Sequence, residues 1–228
     1  MRNGRPASAE RVAVIGLGRF GSSLAGTLNE LGYEVTAIDL DARRIQEIAN
    51  LVTLAAQGDG TDEALLRQLD VEHSDVAVVA QGENLEASVL TTLLLKKLEI
   101  PWVVAKAKTS LHGELLRKVG ADRVIFPEVD AGKRLAHSLG VRHISDYISL
   151  SPAVGVAKLE VPAYLAGKSL ANCKIHLESM IDVLLIQRGA DLIVAPGDQE
   201  ILQPHDEIVV VGADVDIESF VAPPGAPA

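Results

Sequence analysis

Short apolar runs alternate with longer mixed stretches along the first half of this chain. The runs are VAVIG (Val12–Gly16), EVTAID (Glu34–Asp39), VTLAA (Val52–Ala56), DVAVVA (Asp75–Ala80), WVVAKA (Trp102–Ala107) and RVIF (Arg123–Phe126). Runs this short and this poor in polar residues predict strands covered on both faces. The stretches between them carry helical spacing. Leu85, Val89, Leu90, Leu93 and Leu94 predict one broad buried helix face, and Leu111, Leu115 and Val119 a shorter one. Strand and helix in strict alternation predict an α/β fold with a Rossmann-like, doubly wound parallel sheet, because each crossover helix covers one face of the sheet. This domain is expected over residues 10–127.

A helical stretch follows, Asp130 to Leu139, with Gly140 as its C-cap, so residues 128–148 read as a crossover helix and linker. The pattern then changes. VAKLEVP (Val156–Pro162), VLLIQRG (Val183–Gly189), DLIVAPG (Asp191–Gly197) and DEIVVVG (Asp206–Gly212) are strands separated by short turns, with room for one small helix between Ser169 and Met180. Residues 149–221 therefore read as a small β-rich α+β lobe, of a size that gains from packing or dimerisation. The tail from Pro223 to Ala228 offers nothing to anchor it.

Composition narrows the function classes. Among 228 residues, 31 acidic against 21 basic give a net charge of −10, which repels polyanions and argues against nucleic-acid binding. A single cysteine, Cys173, excludes an intrachain disulfide and a multi-cysteine metal site, and reads as a partly buried thiol. The first ten residues lack the apolar core of a signal peptide. No run of about 18 apolar residues occurs, so a cytoplasmic chain is expected, with peripheral attachment to a membrane protein still open.

Candidate chemistry begins at the first strand–helix turn. Gly16, Gly18 and Gly21 form GxGxxG, with Gly16 allowing the tight turn, Gly18 admitting a pyrophosphate and Gly21 permitting close helix–strand packing. The following helix N-terminus offers N–H groups and a positive dipole end to phosphate. Asp39 ends the second strand, where its carboxylate can accept ribose hydroxyls and would oppose a 2′-phosphate. Arg19 sits at the mouth of the phosphate site, placed to reach terminal phosphates or lie across a pyrophosphate; its plain alternative is a solvated first-turn side chain.

The third strand ends in GDGTD, Gly58 to Asp62. Asp59 can face adenine or ribose, while Thr61 or Asp62 can cap the next helix. Gly82 and Asn84 follow the fourth strand on the edge where ligands bind in this fold, and Asn84 is equally an ordinary N-cap. Lys106 and Lys108 follow the fifth strand on the same edge. Glu128 and Asp130 follow the sixth, as surface or helix-start charges or as oxygen ligands for a divalent ion on the phosphates. His73, His112, His137, His143, His176 and His205 are scattered without metal-ligand or triad spacing. No catalytic residue is expected.

GLGRFG (Gly16–Gly21), GDGTD (Gly58–Asp62), ASVLTTLLLKKLEIPWVVAKA (Ala87–Ala107) and GADRVIFPE (Gly120–Glu128) together resemble the RCK-domain proteins, the cytosolic regulatory subunits of Ktr/Trk potassium uptake systems. The resemblance covers residues 11–219. It implies a nucleotide-binding N-lobe, a crossover helix and a ligand-binding C-lobe, with homodimers closing into an octameric ring beneath a membrane-embedded potassium-translocating subunit. It also implies ATP, ADP or NAD(H) as ligand, exchanged without chemistry.

By motif, Gly16, Gly18, Arg19, Phe20 and Gly21 lie at the nucleotide, with Arg19 at the terminal phosphate of ATP. Asp39 is implied as the ribose contact, Asp59 as a contact on the adenosine side and Lys106 as the phosphate-site lysine. Glu128 is implied to approach the nucleotide across the dimer through a cation such as Mg or Ca. Many relatives bind cyclic di-AMP in the C-lobe. Here His176 stands in the arginine-like place and Ser179–Met180 in the aromatic–glycine place, which reduces the attraction for phosphate. The alternative reading is an NAD-dependent oxidoreductase, for which the small second lobe supplies no evident hydride-transfer site.

Overall fold

The computed structural model describes residues 11–140, 144–151, 153–173 and 181–221. The chain divides into two compact units, Met1–Pro127 and Glu128–Ala228.

The first unit alternates strand and helix. Its strands are β1 (Arg11–Ile15), β2 (Glu34–Asp39), β3 (Leu54–Gln57), β4 (Val76–Val79), β5 (Trp102–Lys106) and β6 (Arg123–Ile125). Its helices are α1 (Arg19–Glu30), α2 (Ala42–Ile48), α3 (Glu63–Gln68), α4 (Leu85–Lys97) and α5 (Ser110–Lys118). The six strands form one sheet of order β3-β2-β1-β4-β5-β6, parallel throughout. Because side chains alternate across a strand, β1 feeds two cores. Val12 and Val14 join Ala25 of α1 and Ile48 of α2 on one face, while Ala13 and Ile15 join Leu66 of α3, Leu95 of α4 and Leu116 of α5 on the other. That division is the doubly wound arrangement expected from the strand spacing.

Helix α4 corrects one expectation. Its buried residues are Ser88, Thr91, Thr92 and Leu95, whereas Leu85, Leu90 and Leu93 are exposed and only Val89 and Leu94 are partly buried against the core. Small hydroxyl side chains let α4 approach the sheet closely and still satisfy their own polar atoms: Thr92 Oγ1 donates to the Ser88 carbonyl at 2.7 Å and Ser88 Oγ to the Leu85 carbonyl at 3.1 Å. The same inversion occurs in α5, where Leu111 and Leu115 are exposed and His112, Gly113 and Leu116 are buried.

In the second unit, α6 (Pro127–Gly140) starts at the unit boundary and includes Gly140, expected as a C-cap, as its last residue. It is followed by β7 (Ile144–Ser151), β8 (Val154–Glu160), β9 (Ile181–Arg188), β10 (Asp191–Val194), β11 (Glu207–Ala213) and a closing helix α7 (Asp214–Val221). The sheet is antiparallel with order β10-β9-β11-β8-β7, leaving β10 and β7 at its edges. One short 3₁₀ turn, Ala171–Cys173, falls where a small helix was expected. Residues 174–180, with His176, Ser179 and Met180, lie outside the described residues, as do His143 and the tail from Pro223.

Strand β7 and helix α7 were not anticipated. In β7 the alternation is broken by register shifts against β8, which hide the period of two. In α7 the signal is short: Ile217, Phe220 and Val221 are buried at helical spacing behind Asp214 and Asp216 in the first turn.

Polar staples close this lobe. Arg134 of α6 forms a two-pronged pair with Asp146 of β7, at 2.7 and 2.5 Å. Arg188 does the same to the buried Asp206, with Nε at 3.0 Å and Nη2 at 2.8 Å, while its Nη1 reaches Glu200 at 3.1 Å. Burial pushes the Asp206 carboxyl up, but the Arg188 guanidinium and the Gln203 amide outweigh it and hold the group below the usual carboxylate range. Tyr147 lies over Gly155, where a Cβ would come within 2.3 Å of its ring, and donates its hydroxyl to Asp214 at the start of α7.

Candidate functional site

The carboxyl ends of β1, β2, β4 and β5 bring most of the expected residues to one edge of the first unit's sheet. Gly16 follows β1 with φ of +97°, a conformation that disfavours any other residue. A Cβ at Gly21 would lie 1.9 Å from the Gly16 carbonyl oxygen, so close helix–strand contact demands glycine there. Gly18 differs from both. Its φ is −65°, and a Cβ placed on it meets nothing within 4 Å. The packing of the described residues therefore gives no reason for glycine at this position, whereas a pyrophosphate approaching the backbone would.

The helix that begins here is also distinctive. Asp41, Asp62, Asn84 and Thr109 each accept a backbone N–H at the start of α2, α3, α4 and α5, while α1 starts at Gly18 without a side-chain cap. An N-terminus without such a cap and with its positive dipole end toward the sheet edge is suited to an anion. Arg19 is the first residue of α1 and is exposed, and its guanidinium makes no ion pair or hydrogen bond to the described residues. Phe20 follows it, and the Lys106 ammonium at the end of β5 lies 5.7 Å from the centre of the Phe20 ring, within cation–π range. Gly82 adjoins the same lysine: a Cβ there would stand 3.1 Å from Lys106 Cε.

Asp39 is buried and does more than the sequence suggested. Its Oδ2 accepts the Leu17 amide at 2.6 Å and Arg44 Nη1 at 3.3 Å, and its Oδ1 accepts the Asp41 amide at 2.8 Å. A carboxylate has about four acceptor positions, so one remains for a ribose hydroxyl. Arg44, not singled out from the sequence, joins the site through this pair. The carboxyl ends of β3 and β4 carry two more expected residues, both engaged locally. Asp59 is exposed and accepts the Thr61 amide at 2.9 Å and hydroxyl at 2.8 Å, a turn that orders the loop after β3. Asn84 accepts the Ala87 amide at 3.0 Å, the N-cap alternative for this residue.

Gln81 was also overlooked. It sits between Gly16 and Gly60, and Thr91 Oγ1 donates to its Oε1 at 3.1 Å. Its only sequence signal was a polar residue directly after an apolar strand. Glu128 lies in the first turn of α6, exposed, in the second unit. Among the described residues, no cluster of three or more His, Cys, Asp or Glu side chains is arranged to hold a metal, and no helix is long and apolar enough to cross a membrane.

Residues 12–127 match the TrkA-N domain family and residues 156–223 the TrkA-C domain family. The chain belongs to this two-domain family, the RCK-domain proteins. It is similar to Ktr system potassium uptake protein C of Bacillus subtilis, at 39% identity over 91% of this chain and 94% of that protein. Ktr system potassium uptake protein A of the same organism is 36% identical over 92% of this chain and 95% of that protein. Among solved structures, the GsuK RCK domain shares the fold with a TM-score of 0.64 at 19% identity, covering 97% of this chain. The chain spans 49% of that GsuK chain.

Proposed function

We propose that this protein is a non-catalytic regulatory subunit of a potassium uptake system, and that it responds to an adenine nucleotide bound at the carboxyl edge of the N-lobe sheet. The observation that carries the reading is the anion-ready start of α1, uncapped at Gly18 and flanked by Arg19 and Lys106, in a chain similar to Ktr proteins over nearly its whole length. The family match favours regulation over the NAD-dependent oxidoreductase alternative.

ATP or ADP suits the site better than NAD(H). Arg19 offers a bidentate partner to a terminal phosphate, which a nicotinamide ring does not use. Asp39 takes the ribose and Asp59 the adenosine side, with Lys106 balancing phosphate charge. Glu128, brought by a second protomer, supplies an oxygen ligand to a divalent cation on the phosphates. Assembly proceeds through the N-lobes: the exposed Leu85, Leu90 and Leu93 of α4 and Leu111 and Leu115 of α5 support a homodimer, which closes into an octameric ring docked on a membrane-embedded potassium-translocating partner.

A nucleotide shifts such a ring only through different affinities for its two states. Calorimetry on ligand-free protein is expected to show ATP and ADP binding more tightly than NADH, and Arg19→Ala weakening ATP selectively. Equal losses for ATP and ADP would show that Arg19 does not read the terminal phosphate. Reconstituted transport that runs identically with ATP, ADP, NADH or no ligand would sink the regulatory role.

A further inference from the structure

We infer that Gln81 is an additional nucleotide contact, donating from its side-chain amide to the diphosphate of the bound nucleotide. The inference rests on the nucleotide-binding reading above.

Its position comes first. In the order β3-β2-β1-β4-β5-β6, the helix after β1 covers one face of the sheet and the helix after β4 covers the other. The crevice between the carboxyl ends of β1 and β4 is thus the switch point, where ligands bind in open α/β sheets. Gln81 lies two residues beyond β4, and it is packed against the first glycine of the phosphate turn. A Cβ at Gly16 would be 2.9 Å from Gln81 Cγ and 3.0 Å from its backbone nitrogen.

Orientation comes second. The Gln81 side chain is pinned at its far end, where Oε1 accepts from Thr91 Oγ1 at 3.1 Å and Thr91 is fully buried. With the oxygen so occupied, the nitrogen is left between the two glycine loops: Cγ lies against Gly16, and Nε2 stands 3.3 Å from where a Cβ at Gly60 would be. Nε2 makes no hydrogen bond to any described residue. A carboxamide anchored through its oxygen is a fixed pair of donors and selects an acceptor. The diphosphate is the acceptor common to ADP, ATP and NAD(H), and it belongs at the start of α1, immediately after Gly16. A neutral amide there adds a directed hydrogen bond beside the charges of Arg19 and Lys106.

Two variants of the full chain test this, with ADP, ATP and adenosine as probes in calorimetry and melting of the ligand-free protein as a control. Gln81→Glu keeps an acceptor oxygen for Thr91 and removes the donors. It is expected to weaken ADP and ATP by more than tenfold, leave adenosine unchanged, and leave the melting temperature near wild type. Gln81→Ala is expected to weaken ADP and ATP by about tenfold, the worth of one hydrogen bond. ADP affinity unchanged in both variants would overturn the inference, as would an equal loss of adenosine binding, which would make Gln81 a support for the loops. If wild-type protein binds none of the three, the nucleotide reading itself fails, and this outcome is separable because it appears before any substitution.

Discussion

The carboxylate of Asp39 accepts the amide of Leu17 at 2.6 Å, joining the end of β2 to the middle of the glycine turn. The acidic residue expected to read a ribose also holds in place the glycine loop proposed to receive the phosphates. Asp39→Ala is therefore expected to lose nucleotide binding and to destabilise the N-lobe by about 2 kcal/mol, the scale of a hydrogen bond to a charged group. Urea unfolding of the ligand-free protein checks it. An unchanged midpoint would leave Asp39 with a ligand role alone.

Gly18 and Gly21 separate binding from folding. Gly18→Ala introduces a methyl group into open space at a φ that alanine adopts, so stability should change by no more than about 1 kcal/mol while nucleotide affinity falls. Gly21→Ala forces a Cβ onto the Gly16 carbonyl and should destabilise or unfold the lobe. Thermal melting and calorimetry on both variants read the contrast directly. Similar melting curves for the two would contradict it.

Assembly is the third expectation. Leu93 is 49% exposed on α4 and Leu115 is 40% exposed on α5. Leu93→Glu combined with Leu115→Glu should leave the fold within about 0.5 kcal/mol per site, as for surface substitutions, and reduce the proposed ring to smaller species. Light scattering at micromolar concentration distinguishes the states. A doubly substituted protein of unchanged mass would place the interface elsewhere.

His112 predicts a pH dependence. It is 2% exposed, and burial pushes its imidazole below the ordinary value near 6.5. The Lys108 amide donates to Nδ1 at 3.3 Å, which leaves the proton on Nε2, 2.7 Å from Ser88 Oγ. The folded state thus holds His112 neutral while the unfolded chain takes a proton below about pH 6.5. Stability from this group is fully present above that pH and declines as pH falls toward the depressed folded value, by up to about 1.4 kcal/mol per unit. Denaturant titrations from pH 7.5 to 5 should show the decline, and His112→Gln should flatten it.

The parallel lobe was legible because its strands are short apolar runs, a signal that depends on composition and survives shifts of one or two residues. The glycine turn was legible because Gly16 and Gly21 answer to sterics that any such strand–helix turn imposes. The faces of α4 and α5 were misread for a physical reason: leucine at helical spacing marks an apolar face without saying what covers it, and the sheet side here takes Ser88, Thr91 and Thr92 instead. Gln81 escaped notice because its placement depends on a contact with Thr91, ten residues away on another element. Strand β7 escaped because its register shifts erase the alternation that defines a strand on paper.

The two rims of the antiparallel sheet carry a practical consequence. Both β10 and β7 end the sheet, and both present apolar side chains to solvent, with Leu192 at 60%, Val194 at 67%, Ile148 at 55% and Leu150 at 60% exposure. Unpaired backbone beside such side chains is a template for strand addition between molecules. Truncation to the C-lobe alone would therefore invite aggregation, and a soluble fragment for study is best obtained by placing lysine at Leu192 or Ile148 on the outer strands.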